Sequence, residues 1–146
     1  MRRPHVKPFR FASLIALTAL LFACSSGGTT TLHVVEHANT DTVVDIGPQG
    51  DSLGDVLAFA NPVFDENNQK EVGSDNGQCI RTAVPGAWEC FWTITLADGQ
   101  LTVEGPFYDT KDSVLAITGG TGAYSGARGQ MKLHARNAQG TEYDII

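Results

Sequence analysis

Beyond residue 31 the chain alternates between apolar and polar positions. In WECFWTITL, Trp88, Cys90, Trp92, Ile94 and Leu96 fall on one side, and Glu89, Phe91, Thr93 and Thr95 on the other. A period of two is the mark of a β-strand with one buried face. The dipeptide Asp98-Gly99 predicts a two-residue hairpin turn after it. The next run, LTVEGPF, continues with Leu101, Val103, Gly105 and Phe107 on one face. QMKLHAR sends Met131, Leu133 and Ala135 inward and Lys132, His134 and Arg136 outward. LHVVEHA, DVLAFANPVF, QCIRTAV, SVLAITG and TEYDII read as further strands, and no helical period competes with them.

These are eight short strands in about 115 residues. Such even spacing predicts an all-β domain, an antiparallel barrel or a sandwich. Closure removes both sheet edges, and a barrel of eight strands has an interior that side chains fill or that holds one small ligand. No internal repeat or second domain is visible.

The first 23 residues do not belong to this pattern. Arg2, Arg3, Lys7 and Arg10 precede FASLIALTALLFA, an uncharged run of 13 residues. That order is a secretory signal, too short for a comfortable membrane span. Leu21-Phe22-Ala23-Cys24 resembles the lipobox of bacterial lipoproteins, which implies acylation at Cys24. Residues 24–31, with SSGGTTT, read as a flexible lipidated tether, and residues 32–146 as the barrel domain. The expected location is therefore a bacterial cell envelope, membrane-anchored through Cys24, or else secreted.

Without residues 1–23 the chain keeps 10 − 4 = 6 Lys/Arg against 16 acids, a formal net charge of −10. That argues against nucleic acid as a partner, because phosphates need cations. Export favours disulfides. Cys79 and Cys90 flank the turn signal Pro85-Gly86 almost symmetrically, so a Cys79–Cys90 bridge across a hairpin is expected.

The glycine-rich stretch LAITGGTGAYSGARGQMKL holds five glycines between Gly119 and Gly129. It lacks the lysine of a phosphate loop, and its spacing misses G-x-G-x-x-G by one residue. It reads as a long hairpin at a barrel rim, where glycine allows close backbone approach. His33 and His37 are about 13 Å apart on a strand, and no paired C-x-x-C or H-E-x-x-H is present, so no metal or other cofactor is expected. DENNQ (65–69) and YDTKD (108–112) read as solvated acidic turns.

VEGPFYDTKDSVLAITGGTGAYSGARGQMKL (103–133) resembles the central signature of allene oxide cyclases. LGDVLAFANPVFD (53–65) and VGSDNGQC (72–79) resemble two upstream segments of the same family. The related dirigent proteins share a G-G-T-G stretch. The resemblance implies an eight-stranded antiparallel barrel around an apolar cavity, often a homotrimer. It implies a cyclase or isomerase that folds a small lipophilic substrate and closes its ring with one handedness. Most of that catalysis is geometric. Within it, Asn61 matches a water-holding asparagine, implied to be a catalytic hydrogen-bond donor, and Cys79 a cavity cysteine 18 residues later. Glu36 matches a catalytic glutamate that stabilises developing charge. Trp88 and Trp92 share a face and are expected in the core or the cavity wall.

This sequence departs from the family where chemistry would occur. Ala38 stands where a second asparagine is expected, and Asn39 is one place late, on the opposite face of a strand. A Cys79–Cys90 bridge would consume the cavity thiol. Two other functions therefore stand beside the cyclase: a dirigent-like or lipocalin-like barrel that binds a small apolar ligand without chemistry, and a structural surface barrel packed shut.

Overall fold

The computed structural model describes residues 28–146. The expected signal peptide, Cys24 and the first residues of the tether lie outside them. Residues 28–31 are exposed and irregular.

Nine antiparallel strands form one sheet: β1 (Val34–His37), β2 (Thr42–Val44), β3 (Val56–Asp65), β4 (Glu71–Ala83), β5 (Ala87–Leu96), β6 (Gly99–Tyr108), β7 (Ser113–Gly120), β8 (Gly129–Ala135) and β9 (Glu142–Ile145). Each strand from β3 to β9 pairs with the next, and β1 pairs with both β9 and β3. That last pairing closes an eight-stranded barrel. β2 is an extra strand on the edge of β3 beyond β1, in register Thr42 to Ala58 and Val44 to Val56.

The predicted alternation sets the interior. Trp88, Cys90, Trp92, Ile94, Leu101, Val103, Leu115, Met131 and Leu133 form one apolar core with Val34, Leu57, Val63 and Ile145. Ala135 differs from expectation: it is exposed, at the end of β8. The hairpin after β5 turns on Ala97-Asp98, one residue earlier than predicted, because Leu96 already pairs with Gly99. Gly99 is needed for another reason. A Cβ there would lie 2.2 Å from the carbonyl oxygen of Thr121, so the hairpin docks flush against the glycine-rich segment. That segment forms a single 3-10 turn, Gly122–Tyr124, between β7 and β8, with no helix for a nucleotide phosphate.

β4 is far longer than the predicted QCIRTAV. Its inward positions run Gly73, Asp75, Gly77, Cys79 and Arg81. The first three offer no apolar side chain, so the strand carries no hydrophobic signal there. Gly77 is a packing requirement: a Cβ would fall 2.2 Å from Cβ of Trp92 and 2.5 Å from the Phe91 carbonyl oxygen. The missing side chain makes room for the Trp92 indole across the ladder. One rung further on, Cys79 faces Cys90, and the two form a disulfide.

Candidate functional site

Glu36 points into the barrel from β1 and is 7 % exposed. Its ladder neighbours are Val63 on β3 and Tyr143 on β9. Asn61, from β3, is buried beside it. The amide Nδ2 of Asn61 donates to Glu36 Oε1 at 2.7 Å and to Asp41 Oδ1 at 2.8 Å. Its Oδ1 accepts from the backbone N–H of Thr40 at 3.0 Å and from Thr40 Oγ1 at 2.8 Å. Two donors and two acceptor sites exhaust a carboxamide. The Thr40 hydroxyl oxygen also accepts from the N–H of Ala60 at 2.8 Å. Thus the β1–β2 connection is pinned over β3, and Thr40 and Asp41 supply polar groups near the position where Ala38 replaces an expected asparagine.

Burial is the main force on Glu36 and pushes its carboxyl well above the ordinary range. The Asn61 hydrogen bond opposes that shift, and the Asp41 charge adds to it. Asp75 lies directly opposite Asn61 in the β3–β4 ladder and is fully buried. Neither of its carboxyl oxygens has a hydrogen-bond partner. Burial, and then the nearby Glu36 charge, push it upward as well. Two carboxyl groups therefore flank one asparagine inside an apolar barrel.

A cavity reaches this cluster. It is lined by Glu36 and Asp41, by Leu57, Phe59, Trp92, Phe107, Leu133 and Tyr143, and by the Cys79–Cys90 disulfide. Its volume in this conformation is about 30 Å³, room for a water or two. Phe59, Phe107 and Tyr143 are only partly buried. Phe59 meets Trp92 edge-on, and Phe107 meets Tyr143 edge-on. The Tyr143 phenol is pushed up to about 12, by burial and then by the Glu36 charge. It stays protonated and able to donate. The indole N–H of Trp92 is buried and has no partner.

Trp88 shares the core with Trp92 as its face predicts, but it does not line the cavity beside Glu36. It lines a second recess of about 460 Å³ with Val43, Asp51, Arg81 and Asp109. Arg81 stacks its guanidinium 4.7 Å from the centre of the Trp88 ring and is paired with Asp51 and Asp109. These acids are occupied structurally. Asp65 likewise accepts the Gln69 N–H at 2.9 Å, and Asp112 pairs with Lys132 and His134. His37 stacks on Phe64 and bonds Asn68. Among the described residues no cluster of three metal-binding side chains forms.

The site residues beyond the reach of sequence reasoning are Asp41, Asp75 and Tyr143. For Asp75 one signal existed: counting back in twos from Cys79 puts position 75 inside.

The class is a closed antiparallel barrel whose apolar cavity ends on a few buried polar groups. The allene oxide cyclase family profile matches residues 33–136, and the chain belongs to that family. Solved structures with the same fold include a pyocyanin demethylase, 24% identical with TM-score 0.67, covering 79% of this chain and 97% of that one. A pterocarpan synthase dirigent protein is 23% identical with TM-score 0.63, over 78% of this chain and 90% of its own. An exo-specific intermolecular Diels-Alderase is 16% identical with TM-score 0.58, over 77% and 90%.

Proposed function

We propose that this barrel takes a small lipophilic molecule into its cavity and directs a stereoselective cyclisation or isomerisation of it. The observation that carries this reading is the Glu36–Asn61 pair: a buried carboxyl, held at 2.7 Å by an amide, at the end of an aromatic cavity. A carboxyl in that setting stabilises positive charge as a strained C–O bond opens, while the aromatic walls fix the fold of the substrate. Two structural neighbours, a pterocarpan synthase dirigent protein and a Diels-Alderase, are consistent with ring-forming chemistry in such a barrel. By the lipobox-like LFAC segment, the chain works tethered to a membrane through Cys24.

The small cavity volume favours a second reading, a barrel that only binds. A substrate has to swing Phe59, Phe107 or Tyr143 outward. The test generates a fatty-acid allene oxide beside the full chain and resolves the cyclopentenone by chirality. An excess of one enantiomer, lost in Glu36→Gln with an unchanged melting temperature, is the expected result. A racemic product equal to the protein-free control overturns the cyclase. Binding of an apolar fluorophore would then leave the non-catalytic barrel as the reading.

A further inference from the structure

Asp75 has no role in the cyclase reading above, yet it is among the most unusual side chains in the molecule. It is 0 % exposed, and both carboxyl oxygens lack any donor. An ionised carboxylate in that state would lose its hydration without compensation, at a cost far above that of holding a proton. The backbone N–H groups of Asn61 and of Asp75 itself favour the ionised form, but they make no full hydrogen bond to it and burial outweighs them. The titratable groups that act on it are Glu36 from β1 and Asp41 from the β1–β2 connection, both acidic. No ion pair of the described residues involves Glu36, Asp41 or Asp75.

Position supplies the rest. Asp75 is the ladder partner of Asn61, whose amide bonds Glu36. Directly opposed side chains have Cβ atoms about 5 Å apart. That spacing is between Asp75 and Asn61, so the two carboxyls stand on either side of one amide, and in an apolar interior each disfavours ionisation of the other. Between Asp75 and the cavity wall, the bare Gly77 lets Trp92 lean across, and the Trp92 indole N–H is itself unpartnered.

We propose that Asp75 and Glu36 act as one two-carboxyl acid inside the barrel, coupled across Asn61 so that at most one of them is ionised at neutral pH, and selecting neutral apolar ligands that carry an acceptor oxygen. Asp75 is a positioning residue, since it reaches the ligand only through the charge state it imposes on Glu36. Glu36 lines the cavity and presents the proton. A ligand carbonyl or epoxide oxygen accepts it there, or accepts the Trp92 N–H. The proton returns to the pair when the product oxygen releases it, so no other reagent is consumed. An anionic head group is excluded from this end of the cavity, because Asp41 and the pair's own negative charge repel it.

This inference rests on the ligand-binding reading of the cavity, but its first test does not. Infrared titration of the full chain in heavy water reads protonated carboxyl groups directly. A carboxylic-acid C=O band persisting at neutral pH is expected, diminished in Asp75→Asn. In Glu36→Gln the remaining Asp75 band titrates about one pH unit lower or more, because a neighbouring charge has gone. Absence of the band in the wild-type chain, or an unmoved midpoint in Glu36→Gln, overturns the pair whatever the cavity binds. The second test displaces an apolar fluorophore with a long-chain methyl ketone and with the fatty acid of equal length. Preference for the ketone by about tenfold, lost in Asp75→Asn, is expected. Equal displacement by both overturns the selectivity while leaving ligand binding intact. Displacement by neither overturns the cavity reading itself.

Discussion

Asn61 holds Glu36 at 2.7 Å with one amide hydrogen while the other holds Asp41. The amide clamps two carboxyl groups and keeps no hydrogen for a ligand. Its place in the site is to orient Glu36, and the free donors are Tyr143 and Trp92.

Asn61→Ala therefore acts through Glu36. It strips the buried carboxyl of its donor and frees Thr40 from β3. The expected loss is about 2–3 kcal/mol at neutral pH. The Asn61 bond favours the ionised form of Glu36, so the loss shrinks as pH falls through the raised folded value of Glu36, about 7, and that carboxyl becomes protonated in both chains. Urea unfolding at pH 7 and pH 4 measures both. An equal loss at the two pH values contradicts this role.

Asp75 gives the fold a pH dependence of known sign. Its folded value lies above the unfolded one, so its contribution is fully present below about pH 4 and declines as pH rises towards its folded value. The slope approaches about 1.4 kcal/mol per pH unit for one such group. Asp75→Asn cannot ionise, so this part of the decline disappears. The variant gains on the wild type between pH 4 and 8, by melting temperature. Parallel curves would place an ionised, compensated carboxylate at position 75.

The barrel was legible because Trp88, Cys90, Trp92 and Ile94 face one way and Glu89, Thr93 and Thr95 the other, and the runs of β6 and β8 alternate likewise. The facing cysteines followed from their symmetry about Pro85-Gly86. Glu36 and Asn61 came through resemblance, and the structure places them in contact. Asp75 stayed hidden because GSDNG carries glycine and aspartate at its inward positions, a composition that reads as a turn. β2 stayed hidden because all three of its residues are exposed and only pairing to β3 defines it. Asp41 lies in an irregular connection, and its bond to Asn61 depends on closure of the barrel rather than on any local period.

Gly77→Ala tests whether the tight rung beside the disulfide shapes the cavity. The new methyl would overlap Trp92 Cβ and the Phe91 carbonyl, neither of which is a flexible tip. β4 and β5 must part, at an expected cost of about 3 kcal/mol. Gly126→Ala is the contrast. There φ is +77° and nothing lies within 4 Å, so only backbone strain of about 1–2 kcal/mol remains. Thermal melts order the two, and an apolar fluorophore loses affinity only for Gly77→Ala. Equal melts would mean that the rung yields freely.

Arg81 ties three segments together at the second recess. Its Nε and Nη2 reach Asp51 at 2.8 and 2.6 Å, and Nη1 reaches Asp109 at 2.7 Å. Asp109 also accepts the Gly86 N–H at 3.0 Å and the Trp88 indole N–H at 3.1 Å. The guanidinium is 5 % exposed, whereas Asp51 and Asp109 are 49% and 26% exposed. Arg81→Met keeps the stem and strands two acids that can turn to water. The cost is about 2 kcal/mol, below that of a fully buried pair. The Arg81 hydrogen bond is the main force holding Asp109 below the usual carboxylate range. That stability is present above about pH 4 and lost as pH falls through the folded value. Wild type and Arg81→Met should therefore draw together in urea midpoint as pH is lowered from about 4. Arg81→Lys recovers charge but not the two-pronged contact with Asp51, so its midpoint at pH 7 falls between the others. Full recovery by lysine would mean that charge alone, without fork geometry, holds this end of the barrel.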